Sequence, residues 1–221
     1  MSETARPVIA IIGGTGDLGS GLASAWAKAG YKVVLGSRSR DKAVDHAARY
    51  KTGVTGKDNV GAAREGDIVV VAVPFSSHAA ILGEIKAEVQ GKIVIDAVVP
   101  LVPPKASTVQ LPPEGSAALA ARRILGDGVR LVSAFHNVGA AKLRAGLKAE
   151  CDVLVFSDDR DARDAVIELA NAVARRGVGG GTLANSVAAE AMTSVLIWIN
   201  RHYKVNGAGI LISALETKDP S

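Results

Sequence analysis

The stretch from Val8 to Lys42 restricts the fold more than any other part of this chain. An apolar run, Val8-Ile9-Ala10-Ile11-Ile12, breaks into Gly13-Gly14-Thr15-Gly16-Asp17-Leu18-Gly19. A helix-compatible segment, Leu22 to Ala29, leads through Gly30 to a second apolar run, Val33-Val34-Leu35, and then to Gly36-Ser37-Arg38-Ser39-Arg40-Asp41-Lys42. That order is strand, glycine turn, helix, strand and basic tip. Gly14, Gly16 and Gly19 satisfy G-x-G-x-x-G directly after a predicted strand, the pattern of a dinucleotide-binding turn. Glycine there permits the turn, lets the backbone approach a pyrophosphate and lets the helix lie close to the strand. The helix start adds free N–H groups and partial positive charge, both favourable to phosphate.

The basic tip selects the dinucleotide. A site for NAD usually carries Asp or Glu about 20 residues beyond the glycines, to bind the ribose 2′-hydroxyl. Here Arg38 stands nineteen positions after Gly19, with Ser37 before it and Arg40 and Lys42 after. A carboxylate would repel a 2′-phosphate, whereas a guanidinium grips one through paired hydrogen bonds. The expected carrier is NADP(H). Asp17 and Leu18 belong to the same turn.

Hydrophobic residues make up 48% of the 221 positions and aromatics only 4%, so Val, Ile, Leu and Ala must fill the core. This favours a parallel sheet covered by Ala-rich helices. The formal charge of +4 comes from scattered basic residues without interleaved aromatics, which suits small anions and gives no sign of nucleic acid. Cys151, the single cysteine, excludes an intrachain disulfide. Four histidines without ligand spacing argue against a metal site. No apolar run approaches the ~20 residues needed to cross a bilayer, and a cytoplasmic location is expected.

Beyond the tip, helix is predicted at 43–50, a short edge strand at 52–56 and helix at 59–64. The run Ile68-Val69-Val70-Val71-Ala72-Val73, stopped by Pro74, reads as a central strand buried on both faces. Ser76 or Ser77 is the expected cap of the next helix, which carries Ile81, Leu82, Ile85 and Val89. Strand is predicted at 92–96, proline-rich loop at 97–114, helix capped by Ser116 to Leu125, strand at 130–135, strand at 153–156 and helix at 161–175. The alternation predicts an α/β fold, a Rossmann-type doubly wound parallel sheet. Residues 1–157 are read as the NADP-binding domain and 158–221 as a smaller, mainly helical domain. The latter would complete the substrate cleft and form a dimer interface.

In that second part Gly177-Val178-Gly179-Gly180-Gly181 reads as a separator before a helix at 185–203. Met192, Val195, Leu196 and Ile199 lie on one side of this helix, and Val187, Ala191 and Trp198 on another. A helix apolar around so much of its circumference calls for more than one partner, here the sheet domain and a second subunit.

Ligands of such sheets sit beyond the carboxyl ends of the strands. That rule selects the loops at 13–19, 36–42 and 74–78, with Val73 and Pro74, and the stretch around His136. Hydride transfer between two rings needs positioning and exclusion of water more than acid–base help. His136 is the candidate catalytic residue, to bond the substrate ring or donate a proton; a purely structural role fits the pattern equally. His78 reads as structural.

The sequence resembles the NADPH-dependent reductases of the deazaflavin coenzyme F420, the F420H2:NADP oxidoreductases. The resemblance is carried by Ile-Ile-Gly-Gly-Thr-Gly-Asp-Leu-Gly-Ser-Gly-Leu-Ala at 11–23 and Val-Leu-Gly-Ser-Arg at 34–38. It is supported by Val-Val-Pro-Leu-Val-Pro at 98–103, Ser-Ala-Phe-His at 133–136 and Asn-Ser at 185–186. It implies that Thr15, Ser37, Arg38 and Lys42 meet the 2′-phosphate. It also implies that His136, Val138 and Ala140 lie beside the nicotinamide and deazaflavin, between which a hydride passes. Where relatives carry Arg after the Asn-Ser pair this chain has Val187, and Ala191 replaces a hydroxyl residue, while Glu190 and Thr193 are kept. Two other readings stand beside this one. The chain could reduce another small acceptor (flavin, imine or carbonyl compound), or it could be an NADP(H)-binding sensor without turnover.

Overall fold

The computed structural model describes residues 6–215. Ile9–Ile12 (β1), Asp17–Lys28 (α1), Val33–Ser37 (β2), Arg40–Ala47 (α2), Val54–Asp58 (β3) and Asn59–Glu65 (α3) form the first half of the sheet domain. Ile68–Val71 (β4), Phe75–Ile85 (α4), Ile93–Asp96 (β5), Ala117–Leu125 (α5) and Arg130–Ser133 (β6) form the second. The six strands are parallel in the order β3-β2-β1-β4-β5-β6. The chain runs outward from β1 to β3 and then crosses back to β4, so the order reverses between β1 and β4. At such a point the two flanking loops diverge and leave a crevice.

Alternate residues of each strand feed two cores. Ile9, Ile11, Val33, Leu35, Val70 and Ile95 face one layer with Leu22 and Trp26 of α1. Ala10, Ile12, Val34, Val69, Val71 and Val94 face the other with α3, α4 and α5. The β-branched run at 68–73 is a central strand as expected, and Val54–Asp58 is an edge strand.

Ala140–Arg144 (α6) packs on α1. Ala149–Val155 (β7), Arg160–Val173 (α7) and Ala174–Gly179 (β8) then make a parallel βαβ unit. It is fastened to the outer edge of β6 by the Ser133–Phe156 bridge, by Ser157 Oγ donating to Leu131 O at 2.7 Å and by the Arg130–Asp159 ion pair at 2.6 Å. Its residues Val153, Val155, Val166 and Leu169 share one apolar cluster with Ile9 and Trp26, and Trp26 Nε1 donates to Leu169 O at 3.0 Å. Position 157/158 therefore falls inside this unit, between β7 and α7.

Two local expectations are corrected. α4 begins at Phe75 with Pro74 as its N-cap, so neither Ser76 nor Ser77 caps it; proline supplies a fixed φ where no N–H is needed. The segment at 177–181 is no simple separator, because Gly177, Val178 and Gly179 belong to β8.

Ser186–Tyr203 (α8) follows, and 208–212 returns along β7. There Asp152 N donates to Ile210 O at 2.8 Å, and Ile212 N donates to the Asp152 carboxylate at 2.7 Å. That buried carboxylate is paired with Arg176. Within the described chain, α8 keeps Met192, Val195 and Trp198 at 39–49% exposure. No helix of the described residues is long and apolar enough to cross a membrane.

Candidate active site

All six main strands end at one edge, so the loops at 13–19, 36–42, 74–78 and around His136 share it. A cleft of about 200 Å³ opens where the strand order reverses. Its walls include Gly13, Thr15 and Gly16 after β1, Ser37 at the end of β2 with Arg38 after it, and Val73 and Pro74 after β4.

The glycine turn fits a pyrophosphate. Gly13 has φ +83°, and a Cβ there would lie 2.8 Å from Val73 Cγ1, closing the crevice between the two loops. A Cβ on Gly19 would meet Gly13 O at 2.6 Å and Gly14 Cα at 2.8 Å, so α1 can approach the turn only with glycine there. Gly16 is the N-cap of α1 and makes no side-chain cap, leaving the first N–H groups to a ligand. Asp17 opens the helix, and its carboxylate is taken by Arg144 of α6, with which it lines a neighbouring hollow that shares Thr15 with this cleft. Leu18 packs against the core.

Arg38 stands exposed at the cleft rim, and among the described residues no ion pair holds it. Lys42 is exposed in the first turn of α2, where its backbone N–H donates to the capping Ser39 Oγ at 3.4 Å; it is not among the residues lining the cleft. Val138 and Ala140 stand further along the edge, after β6. Gly139, between them, approaches Gly207, and a Cβ there would lie 3.3 Å from the Gly207 Cα.

His136 is only 6% exposed. Its Nε2 lies 3.0 Å from Ser133 Oγ. Burial holds its pKa down at about 4, so the imidazole is neutral at physiological pH. Thr193 Oγ1 of α8 donates to the His136 carbonyl at 3.1 Å. His78 is buried against Asp96, Nε2 to Oδ2 2.8 Å, and Asp96 Oδ1 accepts from Val98 N at 3.0 Å, which turns the chain into the proline-rich loop. Glu190 Oε2 and Oε1 accept from Ala117 N (2.6 Å) and Ala118 N (3.1 Å), capping α5 from α8. Burial pushes its carboxyl up to about 8, while those two amide bonds pull the other way. Cys151 is likewise raised, to about 11, chiefly by burial, and is no nucleophile.

A second, larger cleft of about 710 Å³ begins at Phe75, next to Pro74, and runs between α4, α5 and the proline-rich loop. Pro100, Val102, Leu111 and Ile124 make it largely apolar. Val187 points toward the end of that loop, its Cγ2 3.4 Å from a Cβ built on Gly115.

Five lining residues were not named as site residues from the sequence: Gly13 and Ser77, which lie inside two of the selected loops, and Asn59, Ala72 and Ile81. Gly13 carried a signal, as the first glycine after the strand. Asn59 is brought in only by the pairing of β3 with β2.

The family model described as NADP oxidoreductase, coenzyme F420-dependent, matches residues 8–100. The F420-dependent NADP reductase of Methanocaldococcus jannaschii is 38% identical over 222 residues, covering 94% of this chain and 99% of the relative. That of Methanothermobacter marburgensis is 39% identical over 220 residues, covering 94% and 98%. A crystal structure from Arthrobacter sp. FB24, provisionally assigned as an F420-dependent NADP-reductase, superimposes with TM-score 0.79 over 93% of this chain and 98% of that one. At 22% identity it speaks for the fold alone. On full-length identity to its curated relatives, the chain belongs to the F420-dependent NADP reductase family.

Proposed function

We propose that this protein is an oxidoreductase that transfers a hydride between NADP(H) and coenzyme F420. The observation that carries the reading is the crevice between the β1 and β4 loops, floored by the glycine turn and rimmed by Ser37 and Arg38, in a chain matched along its length by reductases of that name.

When bound, the nicotinamide supplies or takes up the hydride. The chain's part is binding, orientation and exclusion of water. Gly14, Thr15, Gly16 and the start of α1 hold the pyrophosphate, and Asp17 and Leu18 contribute backbone there. Thr15, Ser37, Arg38 and Lys42 meet the 2′-phosphate. Val73 and Pro74 flank the dinucleotide, with Val138 and Ala140 beside the reacting rings. His136 acts as a neutral ring fixed by Ser133, orienting its loop without carrying the proton of the imidazolium. The apolar cleft starting at Phe75 gives a planar acceptor room next to the dinucleotide, which favours turnover over sensing.

Of residues 158–221, the described part, 158–215, reaches the acceptor side through Val187, near Gly115 at the end of the proline-rich loop, and holds the dimer contact through α8, while 216–221 lie outside the described residues. The exposed Met192, Val195 and Trp198 support a homodimer built on α8. The absence of any membrane-crossing helix among the described residues is compatible with a cytoplasmic enzyme. Mixing the protein with NADPH and oxidised F420 should bleach the deazaflavin absorbance. Binding of NADPH without bleaching would move the acceptor assignment to another small molecule.

A further inference from the structure

We infer that Asn59 belongs to the adenosine end of the dinucleotide site, its side-chain carbonyl accepting a hydrogen bond from an N–H or O–H of the bound nucleotide. The inference rests on the NADP(H) reading and assigns a residue that neither the glycine motif nor the basic tip includes. Asn59 is the first residue of α3, directly after β3, and β3 pairs with the strand that ends in Ser37. It lines the same crevice as Ser37 and Arg38 while being only 2% exposed.

Three observations separate this side chain from a structural role. The cap of α3 is made by its neighbour, since Asp58 Oδ1 accepts from Gly61 N at 2.6 Å. The Asn59 amide nitrogen donates to Glu84 Oε2 at 3.4 Å, which places the nitrogen toward Glu84 and the side-chain oxygen away from it. That oxygen lies 3.4 Å from a Cβ built on Gly36, over the end of β2, and among the described residues nothing donates to it. A buried acceptor left unpaired is destabilising, and natural proteins retain few of them. Phosphates at neutral pH offer mainly acceptors. The adenosine part of NADP(H) offers donors in the adenine 6-amino group and the ribose 3′-hydroxyl.

Calorimetric titration of the whole protein with adenosine 2′,5′-bisphosphate reads this subsite without the nicotinamide or the hydride step. Asn59→Ala should weaken binding of the bisphosphate about five- to tenfold, the loss expected for one hydrogen bond to a neutral group, and weaken NADP⁺ by the same factor. The melting temperature of the unliganded variant should change little, because the lost acceptor has no partner there and the lost amide donor meets only the exposed Glu84 carboxylate at 3.4 Å. The inosine counterpart, with a 6-oxo group, distinguishes the donors. A wild-type preference for adenine that disappears in Asn59→Ala assigns the bond to the 6-amino group, and an equal loss on both bases assigns it to the ribose hydroxyl. Equal affinity of wild type and variant for the bisphosphate, with or without a lowered melting temperature, overturns the inference and leaves the NADP(H) reading standing. A wild type that binds neither the bisphosphate nor NADP⁺ removes that reading and this one together.

Discussion

Phe135 adopts φ 69° with its side chain fully buried, edge-on to Trp26 at 5.6 Å. Left-handed backbone at a bulky residue costs roughly 1–3 kcal/mol and persists only where the surroundings over-determine it. Here it turns the chain at the end of β6 so that His136 comes back under Ser133. A sequence shows that His136 follows a strand, but not that the next bend buries it. Because its pKa falls from 6.5 to about 4 on folding, the unfolded chain binds the extra proton first. Its contribution to stability is therefore complete above about pH 6.5 and is lost as pH falls through 6.5 toward 4, on the order of 3 kcal/mol. Acid denaturation of His136→Asn should lack that component, and kcat should show no inflection from this residue between pH 5 and 8. Arg38 is a simpler case, legible from charge alone. Arg38→Ala should raise the KM for NADPH at least about tenfold while leaving NADH nearly unchanged, the signature of a lost charged hydrogen bond; equal effects on both would remove the 2′-phosphate contact.

Elements with continuous β-branched runs declared themselves, and so did the helix capped by Ser116, whose Oγ accepts from Leu119 N at 3.1 Å. β8 did not. Ala-Arg-Arg-Gly-Val-Gly has neither alternation nor propensity, and it becomes a strand because β7 offers a ladder and α7 lies over it. A Cβ on Gly177 would sit 2.8 Å from Ile167 O and 2.9 Å from Ala170 Cβ, so the glycine that looks like a breaker permits that contact. The joint between α5 and α8 was equally hidden, because Glu190 lies over seventy residues from the amides it accepts. Glu190→Ala should destabilise the fold by about 2–4 kcal/mol by leaving two N–H groups buried without acceptors, measured by urea unfolding. With its pKa raised to about 8 from 4.5, the folded state of Glu190 holds the proton longer than the unfolded chain does. That contribution is complete below about pH 4.5 and fades as pH rises through 8. Glu190→Gln should flatten this slope.

At the scale of the molecule, the meeting of four loops at one edge followed from parallel strands alone, without any contact being known. What a single chain could not reveal is which surfaces remain apolar after folding. Met192 and Val195 have the right spacing for a core face and Trp198 stands on the adjoining side, yet all three stay exposed among the described residues. A homodimer across α8 predicts that Val195→Asp converts the protein to monomers by light scattering at micromolar concentration. Wild-type protein already monomeric under those conditions would sink the interface.

The two tryptophans occupy opposite environments, and this gives the molecule a pair of separable optical probes. Trp26 is fully buried, edge-on to Phe135, with its N–H held by Leu169 O. Trp198 is half exposed and stacked on His202, ring centroids 4.5 Å apart. Emission from Trp198→Phe should be blue-shifted and change only when the sheet and the βαβ unit come apart. Emission from Trp26→Phe should instead follow protein concentration, shifting as the α8 faces of two copies meet or separate. Global unfolding and subunit dissociation could thus be followed as distinct signals without an added dye.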